Sequence, residues 1–253
     1  MPLSAASVEL SQKHYQKIFD KLDELDIKLT CIELGNELNW AGFNGDFPMP
    51  GRGVTFTRDE LATDPEAKQV AKGYLVYLKV LKVLKEVKDN SRLNHGTPII
   101  TSGMAASTGS GWQEKVKIDG VTIPGTYTFL RAHGLDELVD GYGVHTYPSG
   151  VKRGDKAGQA KREAEEERFI FPPGNNKPYW VTEWGFPSKA QSSSEDTERE
   201  QSVKELRAFF HRLREEGRLG GLFWYVWNEP DHDSIYRNGA LMDAGRAAIK
   251  EFK

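Results

Sequence analysis

The chain has 253 residues, of which 38% are hydrophobic and 28% charged, and a formal net charge of −3, the makeup of one large or two small globular domains. So slight a negative balance gives no electrostatic case for nucleic acid or an anionic membrane as a partner. No run approaches the roughly 18 apolar residues that a membrane span requires. The lone cysteine, Cys31, excludes an intrachain disulfide and is expected as a small buried hydrophobe. Met1-Pro2-Leu3-Ser4 lacks the basic start and apolar core of a secretory signal.

Residues 7–26 are predicted as an amphipathic helix with Leu10, Ile18, Leu22 and Leu25 on its apolar face. The strand "KLTCIEL" (28–34) follows, then a Gly-, Pro- and aromatic-rich loop, "NWAGFNGDFPMPGRGVTF". A helix over 65–88 has Pro65 in its first turn and Val70, Tyr74, Tyr77, Leu78, Leu81 and Leu84 on its buried face. "TPIITSG" (97–103) reads as a short buried strand, and Asp119-Gly120 as the turn of a small hairpin. A helix over 126–138, interrupted near Gly134, leads to the strand and exit "VDGYGVHTYP" (139–148). The charged stretch 149–177 holds a solvated helix over 156–167. The strand and exit "KPYWVTEWGFP" (177–187) is followed by a helix over 197–216 that Gly217 ends. "GGLFWYVWNEPD" (220–231) is the last strand and exit, and a helix over 240–252 closes the chain.

Apolar strands alternating with amphipathic helices argue for a parallel sheet with helices outside. No repeat or linker interrupts the pattern, so residues 1–253 read as a single domain. A (β/α)8 barrel and an open doubly wound sheet both collect ligand-binding groups at the C-terminal ends of their strands. The open-sheet nucleotide fold needs a glycine-rich phosphate loop after its first strand. The chain offers only "STGSGW" (107–112), which does not join a strand to a helix.

Three strand exits carry chemistry: Asn36-Glu37, His145-Thr146-Tyr147 and Glu183-Trp184. Two carboxylates across a cleft can split a glycosidic bond, one as acid/base and the other as nucleophile or base. Tyr147 can donate a hydrogen bond that keeps one of them ionised. Asn36 can bind a sugar hydroxyl, and Trp40, Trp184 and Trp227 offer flat faces for a pyranose. Taken singly, each has a plainer reading: an exit Glu is ordinarily solvated or ion-paired, and a lone His is ordinarily structural. Trp180 and Trp224, within strands, are expected in the core. Asp231-His232-Asp233 has metal-binding residue types without ligand spacing, so neither a metal nor a cofactor is expected.

Taken in order, "GNE" (35–37), "HTYP" (145–148), "TEWG" (182–185) and "WNEPD" (227–231) resemble the motifs of clan A glycoside hydrolases, retaining (β/α)8 barrels that include cellulases. The resemblance runs over residues 28–231. It implies that Glu37 is the general acid/base at the end of the fourth barrel strand, with Asn36 touching the sugar 2-hydroxyl. Glu183 is then the nucleophile at the end of the seventh strand. His145 and Tyr147 form the sixth-strand pair, and Trp227 is the eighth-strand sugar platform. Asn228-Glu229-Pro230 is the commoner form of the acid/base motif, but only 23 residues follow it, leaving no strand to supply a nucleophile.

The same count leaves five strands where the family has eight. Strands one to three, and the family's second-strand arginine, have no counterpart. The expected fold is thus α/β, an incomplete (β/α)8 TIM-barrel-like glycosidase. It is either a fragment of a longer enzyme or a partial barrel completed by self-association as a homodimer or higher homo-oligomer. The implied activity is retaining hydrolysis of a β-linked glycoside or polysaccharide, the two carboxyl groups standing about 5–5.5 Å apart. The alternative is a truncated remnant that binds carbohydrate through its tryptophans or has a structural role.

Overall fold

The computed structural model describes residues 1–105, 111–147, 175–186, 193–227, 236–237 and 239–250, with positions 157, 160, 163, 164 and 167. Asn228-Glu229-Pro230, Asp231-His232-Asp233 and most of the charged stretch 149–177 lie outside the described residues. The chain folds as two units, Met1–Tyr142 and Gly143–Lys253.

In the first unit, α1 (Val8–Glu24) starts at Ser7, whose hydroxyl accepts from the Leu10 amide. Its expected apolar face is buried only in part. Leu22 is half-buried, Leu10, Ile18 and Leu25 are 65%, 40% and 54% exposed, and Phe19 is the residue that enters the core. Asp23 explains this rotation. Its carboxylate accepts from the Ser91 hydroxyl and the Arg92 and Leu93 amides, which turns the face shared by Phe19 and Asp23, one helical turn apart, toward the protein.

The strand predicted at 28–34 is reduced to β1 (Ile32–Glu33). It runs parallel to β3 (Ile99–Ile100), itself reduced from 97–103. Cys31, just before β1, is half-buried rather than buried. Burial, and then the charge of Glu33, push its thiol up and keep it protonated. The loop after β1 hides a further strand, β2 (Thr55–Phe56), parallel to β4 (Gly120–Val121). Asp119-Gly120 is therefore not a hairpin turn. The segment before it is the helix α4 (Gly111–Val116), and the fully buried Asp119 carboxylate accepts the amides of Arg52, Gly53 and Val54, which seats β2 beside β4.

After the single turn α2 (Glu60–Thr63), α3 (Pro65–Asp89) matches its prediction closely. Asp64 caps it, accepting from the Glu66 and Ala67 amides at 2.9 and 3.1 Å. Val70, Tyr74, Tyr77, Leu78, Leu81 and Leu84 are all buried. Burial pushes the Tyr74 and Tyr77 phenols up, so both act as neutral groups: Tyr77 donates to the Leu34 carbonyl and accepts from the Ser102 amide. α5 (Ile123–Ala132) begins earlier than predicted because Thr122 caps it. It breaks at Gly134, φ +93°, into a 3-10 turn at Leu135–Glu137.

In the second unit, β5 (Tyr142–Thr146), β6 (Tyr179–Trp184) and β7 (Leu219–Trp224) form one sheet in that order, with β6 and β7 parallel. Between β6 and β7 runs α6 (Ser193–Glu215), whose Val203, Leu206, Phe209, Phe210 and Leu213 are buried. Gly217 follows it at φ +68°, the left-handed stop that the sequence called for. The predicted closing helix begins later than expected. Tyr236–Arg237 (β8) and Ala240–Leu241 (β9) pair antiparallel first, and α7 spans only Asp243–Ala248. Among the described residues no helix is long and apolar enough to cross a membrane.

Candidate functional site

The exit of β1 is a built structure rather than a loose loop. Glu37 adopts φ +42°, a region costly for a residue with a Cβ. Its amide is held by the Gly103 carbonyl at 2.9 Å. Two residues on, Asn39 is fully buried. Its side-chain amide donates to the carbonyls of Ala105 and Val121, and its oxygen accepts from the Ala105 amide at 2.8 Å. Glu33 adds a further tie, accepting from the Gly103 amide at 2.6 Å. Within this frame the Trp40 indole N–H donates to Glu37 Oε2 at 2.9 Å, and Asn36 is half-buried. The structure thus brings Glu37 and Trp40 together, with Asn36 beside Glu37 along the chain.

Two aromatic residues that the sequence reading left aside border Trp40. Phe43 and Trp112 each have ring centroids 6.0 Å from Trp40 and are 53% and 47% exposed. Phe43 sits in the same aromatic loop as Trp40, a signal that was visible in the sequence. Trp112 gave none beyond its own side chain, since it reaches Trp40 only through the tertiary fold.

In the second unit the last residues of β5 and β6 form a polar cluster. The Tyr147 hydroxyl donates a short hydrogen bond to Glu183 Oε2. His145 Nδ1 stands 3.5 Å from the same oxygen, and the His145 ring is buried. Tyr147 is braced by the edge of Tyr225, centroids 6.2 Å apart. Glu183 is half-buried. A carboxylate fixed in this way, one oxygen held by a phenol and faced by an imidazole, is suited to attack or to accept charge from one direction.

The tryptophans divide. Trp227 is 54% exposed, with one face stacked on Tyr236 at 5.5 Å and an 8° interplanar angle. Trp184 was expected as a platform, but it is 1% exposed and packs edge-on against Phe210 and Trp224. It alternates with Glu183 along β6, so if one side chain faces the polar cluster the other turns toward α6. It offers no open face to a sugar. Trp180 is buried, as expected of a core residue, while Trp224 is half-buried. Gly185, directly after Trp184, permits the close approach of β6 to the exit of β7: a Cβ there would lie 2.3 Å from the Tyr225 carbonyl oxygen.

No protein-family profile and no curated protein matches the chain. Solved structures do. One of two fungal β-1,4-galactanases aligns at TM-score 0.51 and 15% identity, covering 96% of this chain and 68% of that one. A GH128 (subgroup II) endo-β-1,3-glucanase from Pseudomonas viridiflava aligns at 0.49 and 12%, covering 97% and 75%. A β-glucosidase from Exiguobacterium marinum aligns at 0.44 and 15%, covering 96% and 68%. At these identities the likeness is one of fold. The galactanase shares the α/β arrangement with parallel strands that this chain adopts.

Proposed function

We propose that the chain is a glycoside hydrolase that cleaves β-linked glycosides by retaining double displacement. Glu37 acts as acid/base and Glu183 as nucleophile. Glu183 attacks the anomeric carbon while Glu37 delivers its proton to the departing oxygen. Glu37 then takes a proton from water, which attacks the same carbon and releases Glu183. The observation that carries this reading is the cluster at Glu183, where Tyr147 and His145 converge on a single carboxylate oxygen. The strained backbone of Glu37 and its indole hydrogen bond support the second role. Asn36 is assigned to the substrate 2-hydroxyl, and Trp40 and Trp227 to sugar faces.

Residues 1–253 are proposed to act as one catalytic domain covering barrel strands four to eight and completed by self-association. The exposed Leu10, Ile18 and Leu25 on α1 support association. Sedimentation showing only a monomer would remove that part.

A panel of aryl β-glycosides tests the activity, with Glu183→Gln as control and circular dichroism to establish folding. Turnover by the wild type that vanishes in the control is expected, with the β-anomer appearing first by proton NMR. An α-anomer first would end the retaining assignment. A folded wild type without turnover that still binds sugar would identify a carbohydrate-binding remnant.

A further inference from the structure

We propose that Trp40, Phe43 and Trp112 form a trough for the leaving-group side of a β-linked oligosaccharide. The inference rests on the glycosidase reading and assigns residues that the motifs did not reach.

The Trp40 indole N–H holds Glu37 Oε2 at 2.9 Å. In a glycosidase the acid/base residue protonates the bridging oxygen, and that oxygen departs with the leaving portion. Rings built onto the flank of Glu37 therefore meet the leaving portion rather than the sugar that becomes bound to the nucleophile.

Phe43 and Trp112 are 53% and 47% exposed. A single exposed aromatic is ordinary, but three adjoining rings are a contiguous apolar patch of the kind that marks binding surfaces. The rings are tilted by 54° and 45° to Trp40. Neither ring lies flat against Trp40, so the three are not a closed stack.

The Trp40 ring lies back across Gly42, where a Cβ would meet it at 2.6 Å, so a larger residue there would force the ring or the backbone to shift. Next to Trp112 on α4, Gln113 anchors the helix. That side chain is buried, accepts from the Thr55 hydroxyl at 2.9 Å and donates to the Ile118 carbonyl at 3.4 Å.

The test compares wild type with Trp112→Ala and Phe43→Ala, using β-glycosyl fluorides, whose leaving group has no ring, and β-1,3- and β-1,4-linked hexasaccharides. Circular dichroism checks each fold. The expected result is a fall in hexasaccharide kcat/KM about tenfold greater than any fall with the fluoride, with KM carrying most of it. Equal losses on both substrates, or none on either, would overturn the trough. Failure of the glycosidase reading looks different, because the wild type then turns over neither substrate. Hexasaccharide titration calorimetry decides that case. A roughly tenfold weaker affinity in Trp112→Ala keeps the trough as a sugar-binding surface, and equal affinity, or no binding by wild type, overturns it.

Discussion

Replacing Asp119 by alanine removes a buried carboxylate that accepts three backbone amides, from Arg52 at 3.1 Å, Gly53 at 2.6 Å and Val54 at 2.9 Å. Hydrogen bonds to a charged group contribute about 1.5–3 kcal/mol each, so three left wholly unpaired would cost roughly 5–9 kcal/mol. Arg52 and Val54 are exposed residues, however, and water can reach their amides once the carboxylate is gone. The Gly53 amide, the shortest bond, is then the principal loss, and the expected cost falls to about 2–4 kcal/mol. Asp119→Asn keeps one acceptor oxygen, able to serve Gly53 and Val54, and should cost roughly half as much. Urea unfolding followed by circular dichroism at pH 7 measures both, with an unchanged slope showing that stability alone has moved. The effect should extend to the site, because the Asp119 carbonyl accepts from the Ala41 amide at 2.9 Å, next to Trp40. A cost below about 1 kcal/mol for alanine, or an Asn variant as unstable as the Ala variant, would refute the view that the carboxylate holds this segment by its amides.

Three other substitutions test separate contacts. At Asp64, burial pushes the carboxyl up, but the Arg52 hydrogen bond and the Ala67 and Glu66 amides outweigh it and hold the group below its ordinary value. A carboxyl depressed in the folded state stabilises above the unfolded value of about 3.9, and that stability is lost as pH falls through the folded value. The urea midpoint of Asp64→Asn should therefore lie below wild type at pH 7 and converge on it as pH falls through the folded value, and a gap independent of pH would refute the charge effect. Tyr147→Phe should lower kcat on an aryl β-glycoside by about 10²-fold with KM little changed, read in steady-state assays on a variant shown to be folded. Gly185→Ala forces a Cβ against the Tyr225 carbonyl, 2.3 Å away, and should cost about 2 kcal/mol or more in urea unfolding; a neutral result would mean that the two exits need not approach so closely.

What the sequence made legible followed strong local periodicity. The helix at 65–88 has an Asp cap, Pro65 in its first turn and a continuous apolar face, and it forms within a residue of its prediction. All five predicted strands appear, but β1 and β3 shrink to two residues each. Apolar composition marks the burial of these segments without fixing how many ladder bonds they make. The errors arose where a tertiary partner decides the outcome. Asp119-Gly120 has hairpin chemistry, yet its carboxylate is claimed by amides 65 to 67 positions away, and the loop amides of 52–54 could not announce this. On α1, helical spacing favoured Leu10 and Ile18, whereas hydrogen bonds from Ser91, Arg92 and Leu93 to Asp23 select the Phe19 face. Trp184, expected to offer a flat face to a sugar, is buried instead. Strand alternation alone turns adjacent residues to opposite faces, and this is the rule that should have sent it to the core.

The segment Asn36-Glu37-Leu38-Asn39-Trp40 shows how one short run divides between chemistry and support. A non-glycine residue at φ +42° costs on the order of 1–3 kcal/mol, and the hydrogen bonds around it offset that cost. Asn39 makes three buried hydrogen bonds to Ala105 and Val121, each contributing roughly 1 kcal/mol net, and the Glu37 amide adds a fourth to Gly103. The offset is of the same size as the strain, and it is drawn from the exit of β3 and from β4. The backbone of Glu37 is therefore held by contacts that its own carboxyl group does not make, and that carboxyl also accepts from the Trp40 indole. The second amide of the motif, though similar in sequence to the first, is thus part of the support, while Asn36 and Glu37 remain the residues assigned to substrate.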